Sequence, residues 1–300
     1  MQRDGTVSGY GAVDDAESLR MLRSALEGGV NLFDTAPWYG NGHSERIVGK
    51  ALSGRRSEAV IATKVGIFLR DGRYTSDYSG DFVRRSVGES LARLRTDHID
   101  VYQLHSPTAA QFRPDGLEAL VALKAAGTIR AVGISLPASI EESVRFYLPI
   151  CRDWPVDVVQ VPYNLLKFQA GERLLPELGA LHVGVICREP FYFGYLTGRF
   201  DQSTVFPAAT DVRSTWPRER QFDLVARARR FEFLRERLGA TLSQGALAYC
   251  LSHPAVATVV AGAMTVQELA EDAAAARFAP LPADLLDEIG RAQRDIGPAL

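Results

Sequence analysis

Four side chains whose types could together move a proton onto a carbonyl oxygen are Asp34, Tyr39, Lys64 and His105 in this 300-residue sequence. Asp34, Lys64 and His105 each close an apolar run of strand length, 30–33, 59–64 and 99–105, and Tyr39 follows Asp34 by five residues. A tyrosine titrates near ~10, and a neighbouring ammonium favours the phenolate and lowers that value. A carboxylate beside the lysine holds it charged and oriented, and a histidine can donate a hydrogen bond to a substrate oxygen. Such a set suits delivery of a proton to a carbonyl oxygen while something else delivers hydride to the carbon. Singly, each has a duller reading: Asp34 as a turn cap, Tyr39 as packing, Lys64 as a solvated charge, His105 as a turn residue before Ser106-Pro107. Three successive strand ends carrying ionisable groups favour the functional reading, because in a parallel barrel the C-terminal strand ends meet on the face that holds the site.

The elements around these residues alternate. After 30–34 the chain crosses Gly40-Asn41-Gly42 into a helical pattern with Ile47, Val48, Ala51 and Leu52 on one face. Ahead of it, Asp14 and Glu17 resemble a capping box, with Leu19, Leu22 and Leu26 at helical spacing. A Gly- and Tyr-containing loop is expected at 66–80, then a helix capped by Asp81 with Val83, Val87, Leu91 and Leu94 inward, and another helix at 117–126. Further β-branched runs at 129–135, 156–161, 183–187 and 256–261 each precede a helix-like segment. Runs apolar on both faces and alternating with helices call for a parallel sheet. Seven strands are read this way, ending near Asp34, Lys64, His105, Ser135, Val161, Cys187 and Ala261. The eighth would come from 1–10, where MQRDGTV makes a poor buried strand. The expectation is an α/β chain folded as a (β/α)8 TIM barrel whose first strand is short or irregular, a single domain over 1–300. The segment 199–220, with Phe206, Pro207, Trp216 and Pro217, is long enough to be a lid or binding loop.

Composition narrows the chemistry. A net charge of -2 from 34 basic and 36 acidic residues indicates no polyelectrolyte partner, and Arg84-Arg85 and Arg227/Arg229/Arg230 read as solvated helix faces. Cys151, Cys187 and Cys250 are odd in number and widely spaced, which suggests neither disulfides nor a zinc site and fits a reducing compartment. The start MQRDGTVSGYG lacks an apolar signal core, and no apolar run reaches about 18 residues, so a cytoplasmic protein that does not span a membrane is expected. There is no HExxH, GxSxG, P-loop or GxGxxG, and no metal is expected. His43, His98, His182 and His253 read as surface or packing residues.

Taken together, FDTAPWYGNGHSERIVGKAL, VIATKVG, SLARLRTDHIDVYQLHSP, AVGIS, VVQVPYN, PFYFGYLTGRF and VVAGA, in that order over nearly the whole chain, resemble the aldo-keto reductase superfamily. The resemblance implies a nicotinamide-dependent oxidoreductase interconverting an aldehyde or ketone and an alcohol, with Tyr39 as general acid, Lys64 and Asp34 tuning it, and His105 positioning the carbonyl. It implies an extended cofactor without a Rossmann fold. By the same resemblance Ser135 and Gln160 hold the carboxamide, Arg188 stacks on the nicotinamide, and Phe191, Gly194 and Leu196 belong to the pyrophosphate loop. Gly262 and Ala263 form a phosphate turn, Glu268 and Asp272 lie in the cofactor-binding stretch beyond it, and Gly5-Thr6 end the first strand. Trp38, Phe68 and Trp216 would line the substrate pocket. The partner implied is a small carbonyl or alcohol, with neither nucleic acid nor membrane.

The sequence also departs from the pattern. Leu136 stands where an Asn usually follows the serine, and Met264 stands where a basic residue usually binds the 2′-phosphate of NADPH. Stretch 262–276 has no Lys or Arg and carries Glu268, Glu271 and Asp272, so a phosphate there is electrostatically disfavoured unless Arg199 or Arg277 reaches in. NADP(H) is the cofactor the resemblance implies, and NAD(H) becomes plausible on these substitutions. Only four residues precede Gly5-Thr6. These departures keep two other readings open: a cofactor-binding regulatory subunit that reports redox state, and a barrel repurposed for cofactor-free acid-base chemistry through Tyr39 and Lys64.

Overall fold

In the computed structural model, which describes residues 14–298, the apolar runs become β1 (Leu32–Asp34), β2 (Val60–Val65), β3 (Ile67–Arg70), β4 (Arg73–Ser76), β5 (Ile99–His105), β6 (Ile129–Ser135), β7 (Val158–Pro162), β8 (Gly184–Arg188) and β9 (Val256–Val259). Seven of them pair in parallel in the order β1-β2-β5-β6-β7-β8-β9, and β3 and β4 form a separate antiparallel pair. All seven residues of β5 are buried, as a strand covered on both faces requires. The sheet curls: Gln160 on β7 reaches Asp34 on β1 at 2.8 Å, although β2, β5 and β6 lie between them in strand order. This is a (β/α)8 barrel. The strand expected from 1–10 lies outside the described residues, as do Gly5 and Thr6.

Helices α1 (Asp15–Glu27), α2 (His43–Ala51), α3 (Gly80–Leu94) and α4 (Pro114–Ala125) pack side by side along the outside of β1, β2 and β5. Asp14 caps α1, its side chain accepting the Glu17 N–H at 2.9 Å. The cap of α3 is Ser79 and not Asp81, which lies in the first turn and pairs with Arg84. Among the described residues no helix is long and apolar enough to cross a membrane.

Two segments are more structured than the sequence suggests. Much of 66–80 is the β3–β4 hairpin, turned by Asp71 at φ +50° and Gly72 at φ +79°. The segment 199–220 is packed, and helix Arg218–Arg229 starts inside it. Its Arg213 is buried and forks onto Asp211 at 2.9 and 2.6 Å. The same guanidinium donates to the Phe193 carbonyl at 2.7 Å and lies 4.8 Å from the Phe200 ring and 4.2 Å from Phe206. Arg213 thus buttresses the turn that follows β8.

Gly66, at φ +117°, sits against Tyr78, whose ring would lie 2.0 Å from an added Cβ. Tyr78 in turn donates its hydroxyl to the His105 carbonyl at 2.7 Å. Gly66→Ala is therefore expected to destabilise the fold by about 1–3 kcal/mol. Urea unfolding checks this, and an unchanged midpoint would contradict the packing.

Candidate active site

The register of the sheet assembles the site. His105 pairs with Ser135, and Ser135 with Gln160, so three polar side chains stand in a row across β5, β6 and β7. Lys64 is on β2, and its ammonium donates to Asp34 Oδ2 at 2.6 Å and to the Thr35 carbonyl at 3.0 Å. The Lys64 side chain is 1% exposed and that of Asp34 is 11% exposed. Tyr39 lies in the loop between β1 and α2, with Lys64 Nζ 5.4 Å from its ring centroid. The Tyr39 and His105 rings meet edge to face at 6.1 Å. The four residues separated in sequence therefore converge at one end of the barrel. Tyr39 is 42% exposed and the other three are largely covered.

Burial pulls the proton affinity of Lys64 down, but the charges of Asp34 and the Tyr39 oxygen, with the Asp34 hydrogen bond, outweigh burial and the nearby Arg188. The lysine is held charged, above its ordinary value. His105 goes the other way: burial, then the charges of Lys64 and Arg188, hold it well below the ordinary histidine value, so it is neutral at pH 7. A neutral imidazole can donate to an oxygen without itself being an acid of matching strength. The arrangement offers a phenol at an open mouth, a cation beneath it and a neutral donor beside it, which suits a site where negative charge develops on an oxygen.

Ser135 and Gln160 are both 1% exposed. The Gln160 amide donates to Asp34 and accepts from Ser135 Oγ at 3.3 Å, which leaves one N–H and one acceptor lone pair for a further amide. A carboxamide fits that remaining capacity. Leu136 is fully buried, and its carbonyl accepts from Arg188 at 3.2 Å and from Ser106 at 3.3 Å, so residue 136 contributes backbone to the site. After Arg188 the chain turns tightly, with Glu189, Tyr192, Phe193 and Gly194 at positive φ. Phe191 closes the turn by accepting the N–H groups of Gly194 and Leu196, each at 3.0 Å. Such strained turns cluster at ligand sites. Gly262 and Ala263 follow β9, ahead of helix Val266–Ala273. There Glu268 accepts the Met264 N–H at 2.8 Å and pairs with Arg199. Burial and the neighbouring Glu271 push Asp272 up to about 7, against the pull of Arg199.

Of the three aromatics expected in the pocket, Trp38 stands 5.5 Å from His105. Phe68 packs on Phe82 at 4.6 Å, and Trp216 on Phe193 at 5.0 Å and Tyr195 at 6.3 Å. Tyr74, which sequence reasoning missed, meets Trp38 edge to face at 5.5 Å. The signal for it was present: Asp71-Gly72 between the short runs 67–70 and 73–76, rich in Ile, Phe, Tyr and Thr, is a hairpin turn. The Arg213 buttress carried no comparable signal.

The chain is a parallel barrel that gathers Asp34, Tyr39, Lys64 and His105 at one end. Residues 5–294 match the Aldo/keto reductase family, and the chain belongs to it. It is 34% identical over 216 residues to an aldo-keto reductase of Bacillus subtilis, covering 70% of this chain and 62% of that protein. It is 28% identical to the NADH-specific methylglyoxal reductase of Escherichia coli, over 97% of this chain and 90% of that one. The solved glycerol dehydrogenase of Gluconobacter oxydans superposes with a TM-score of 0.80 at 29% identity, covering 97% of this chain and 89% of that one.

The neutral, buried His105 fixes a sign for acid stability. Between its folded value and about 6.5 the unfolded chain holds a proton that the folded chain does not, so this contribution is complete above about 6.5 and lost as pH falls. The loss of stability between pH 7.5 and 5.5, measured by urea unfolding, should be smaller in His105→Asn than in the parent. An equal loss would mean that His105 is not neutral in the folded state.

Proposed function

We propose that the chain interconverts a small aldehyde or ketone and its alcohol with a nicotinamide cofactor, Tyr39 acting as general acid. The observation that carries this reading is the buried Lys64 ammonium, fixed by Asp34 and placed beneath the Tyr39 ring. In the reducing direction the Tyr39 hydroxyl gives its proton to the carbonyl oxygen, and Lys64 stabilises the oxygen anion left behind. His105 donates to the same carbonyl and orients it. Asp34 keeps Lys64 charged. Ser135 and Gln160 are suited to hold a carboxamide, Arg188 to lie against the ring, the 191–196 turn to carry the pyrophosphate, and Gly262-Ala263 to take the far phosphate. When bound there, the cofactor supplies or takes up hydride. Trp38 and Tyr74 form an aromatic wall beside His105 for the substrate. On this reading 1–300 acts as one barrel domain in the cytoplasm. Tyr39→Phe should reduce turnover at least 100-fold, the scale of a lost general acid, while the dissociation constant for the cofactor stays within about threefold. Steady-state assays and nicotinamide fluorescence check this, and retained turnover would remove Tyr39 from its role.

The cofactor preference we propose is NADH. Glu268 already occupies the Met264 N–H and the Arg199 guanidinium, the donors a second phosphate would need, and Met264 brings no charge. A 2′-phosphate would have to displace a carboxylate and approach Glu271 and Asp272. The E. coli relative named as NADH-specific is consistent with that choice. NADH should bind at least tenfold more tightly than NADPH at pH 8. The gap should narrow toward pH 6, because Asp272, at about 7, becomes protonated and its negative charge disappears. Calorimetric titration with both cofactors tests this, and tighter NADPH binding at pH 8 would overturn it.

A further inference from the structure

We propose that Gln160 is a positioning residue for the Asp34–Lys64 pair, acting from the opposite wall of the barrel as a strut that fixes which carboxylate oxygen faces the lysine. This rests on the reductase reading for its functional consequence and on geometry for its structure. Gln160 stands on β7 and Asp34 on β1, two strands that are not neighbours in the sheet. The amide bridges them: Nε2 donates to Asp34 Oδ1 at 2.8 Å while Lys64 Nζ takes Oδ2 at 2.6 Å. The orientation of the amide follows from chemistry, since only its N–H can face a carboxylate, and its oxygen then accepts from Ser135 Oγ. Ser135 Oγ lies 3.2 Å from Ser106 Oγ, which anchors the row to the loop beyond β5.

The need for a strut comes from the aspartate itself. The last torsion of Asp is broad and nearly two-fold, so a single contact to Lys64 leaves the carboxylate free to swing. With both oxygens claimed, one by each wall, it cannot turn away. The charged and titratable groups facing Lys64 are Asp34 from β1, Tyr39 from the following loop, His105 from β5 and Arg188 from β8. Only Asp34 and Tyr39 favour the ammonium. Loosening Asp34 therefore shifts the balance toward burial and Arg188, and Lys64 gives up its proton more readily.

The chain has four lysines, Lys50, Lys64, Lys124 and Lys167, so ammonium signals of protein labelled with 15N at lysine can be assigned with few variants. The 15Nζ chemical shift of Lys64 moves when the ammonium loses its proton, so its midpoint against pH reports the lysine's proton affinity without any need for turnover. In Gln160→Leu this midpoint should fall by about one unit, a tenfold loss of proton affinity, and kcat should fall. Cofactor dissociation constants are measured alongside. If Gln160 only contacts the cofactor, binding weakens and the Lys64 midpoint is unchanged. If it only supports the fold, the thermal midpoint falls and the Lys64 titration is again unchanged in folded protein; either result overturns the proposal. A lowered Lys64 midpoint in Gln160→Leu with no turnover by the parent protein on any carbonyl would leave the strut standing and sink the reductase reading.

Discussion

A lysine ammonium with 1% of its side chain exposed cannot stand alone. Desolvating a charge of that size costs several kcal/mol in a protein, and the site exists because the surroundings of Lys64 offset that cost. Asp34 supplies the countercharge and the Thr35 carbonyl a second acceptor. The constraint then propagates outward, because each supporting group must itself be held. Thr35 donates to Ser44 at 2.8 Å, and Thr63, the neighbour of Lys64, donates to the buried Glu45 at 2.7 Å. Glu45 takes the Arg93 guanidinium at 2.6 Å. Ser44 and Glu45 lie in the first turn of α2, so the ends of β1 and β2 are both hooked to the helix that follows the Tyr39 loop.

This explains how an exposed tyrosine can sit over a buried cation. The loop bearing Tyr39 is short, and both its ends are tied to the strands that carry Asp34 and Lys64. Tyr78 plays a similar part for His105, wedged against Gly66 and bonded to the His105 carbonyl. At the other end of β5, Asp100 is buried and gathers Arg56 at 2.5 Å, Arg130 at 2.8 Å and the Ile61 N–H at 2.9 Å. One end of the barrel thus carries a charged cluster open to solvent through Tyr39, and the other a cluster that knits strands together. Parallel barrels divide chemistry and stability between their two ends in this way.

Much of this was legible in the sequence, and the reason is periodicity. A strand apolar on both faces announces itself, and the residue on which it stops is then known to lie at the end of the barrel, which is how Asp34, Lys64 and His105 could be grouped without any contact map. Seven strands were read from such runs, and the last differs only in stopping at Val259. What could not be read was reach. Nothing in the spacing of Asp34 and Gln160 says that one will cross the barrel to the other, because that contact depends on sheet closure and not on local pattern. The same holds for Arg213, whose guanidinium is buried by aromatic rings that only the folded loop brings near. The cap of α3 at Ser79 was misjudged because Asp81 is also a good cap former; in the folded chain Ser79 accepts the Phe82 N–H, and Asp115 on α4 takes the Gly80 N–H at 2.7 Å.

The central claim, that this cluster protonates a carbonyl oxygen while a nicotinamide delivers hydride to its carbon, is tested most directly by following the isotope. Nicotinamide cofactor deuterated at the transferable position would be incubated with the protein and a panel of small aldehydes and ketones in ordinary water, and the product analysed by mass spectrometry and NMR. The account predicts one deuterium on the carbinol carbon per cofactor oxidised and a hydroxyl proton from solvent. Product carrying no deuterium at that carbon, or cofactor left unoxidised while substrate is consumed, would contradict it.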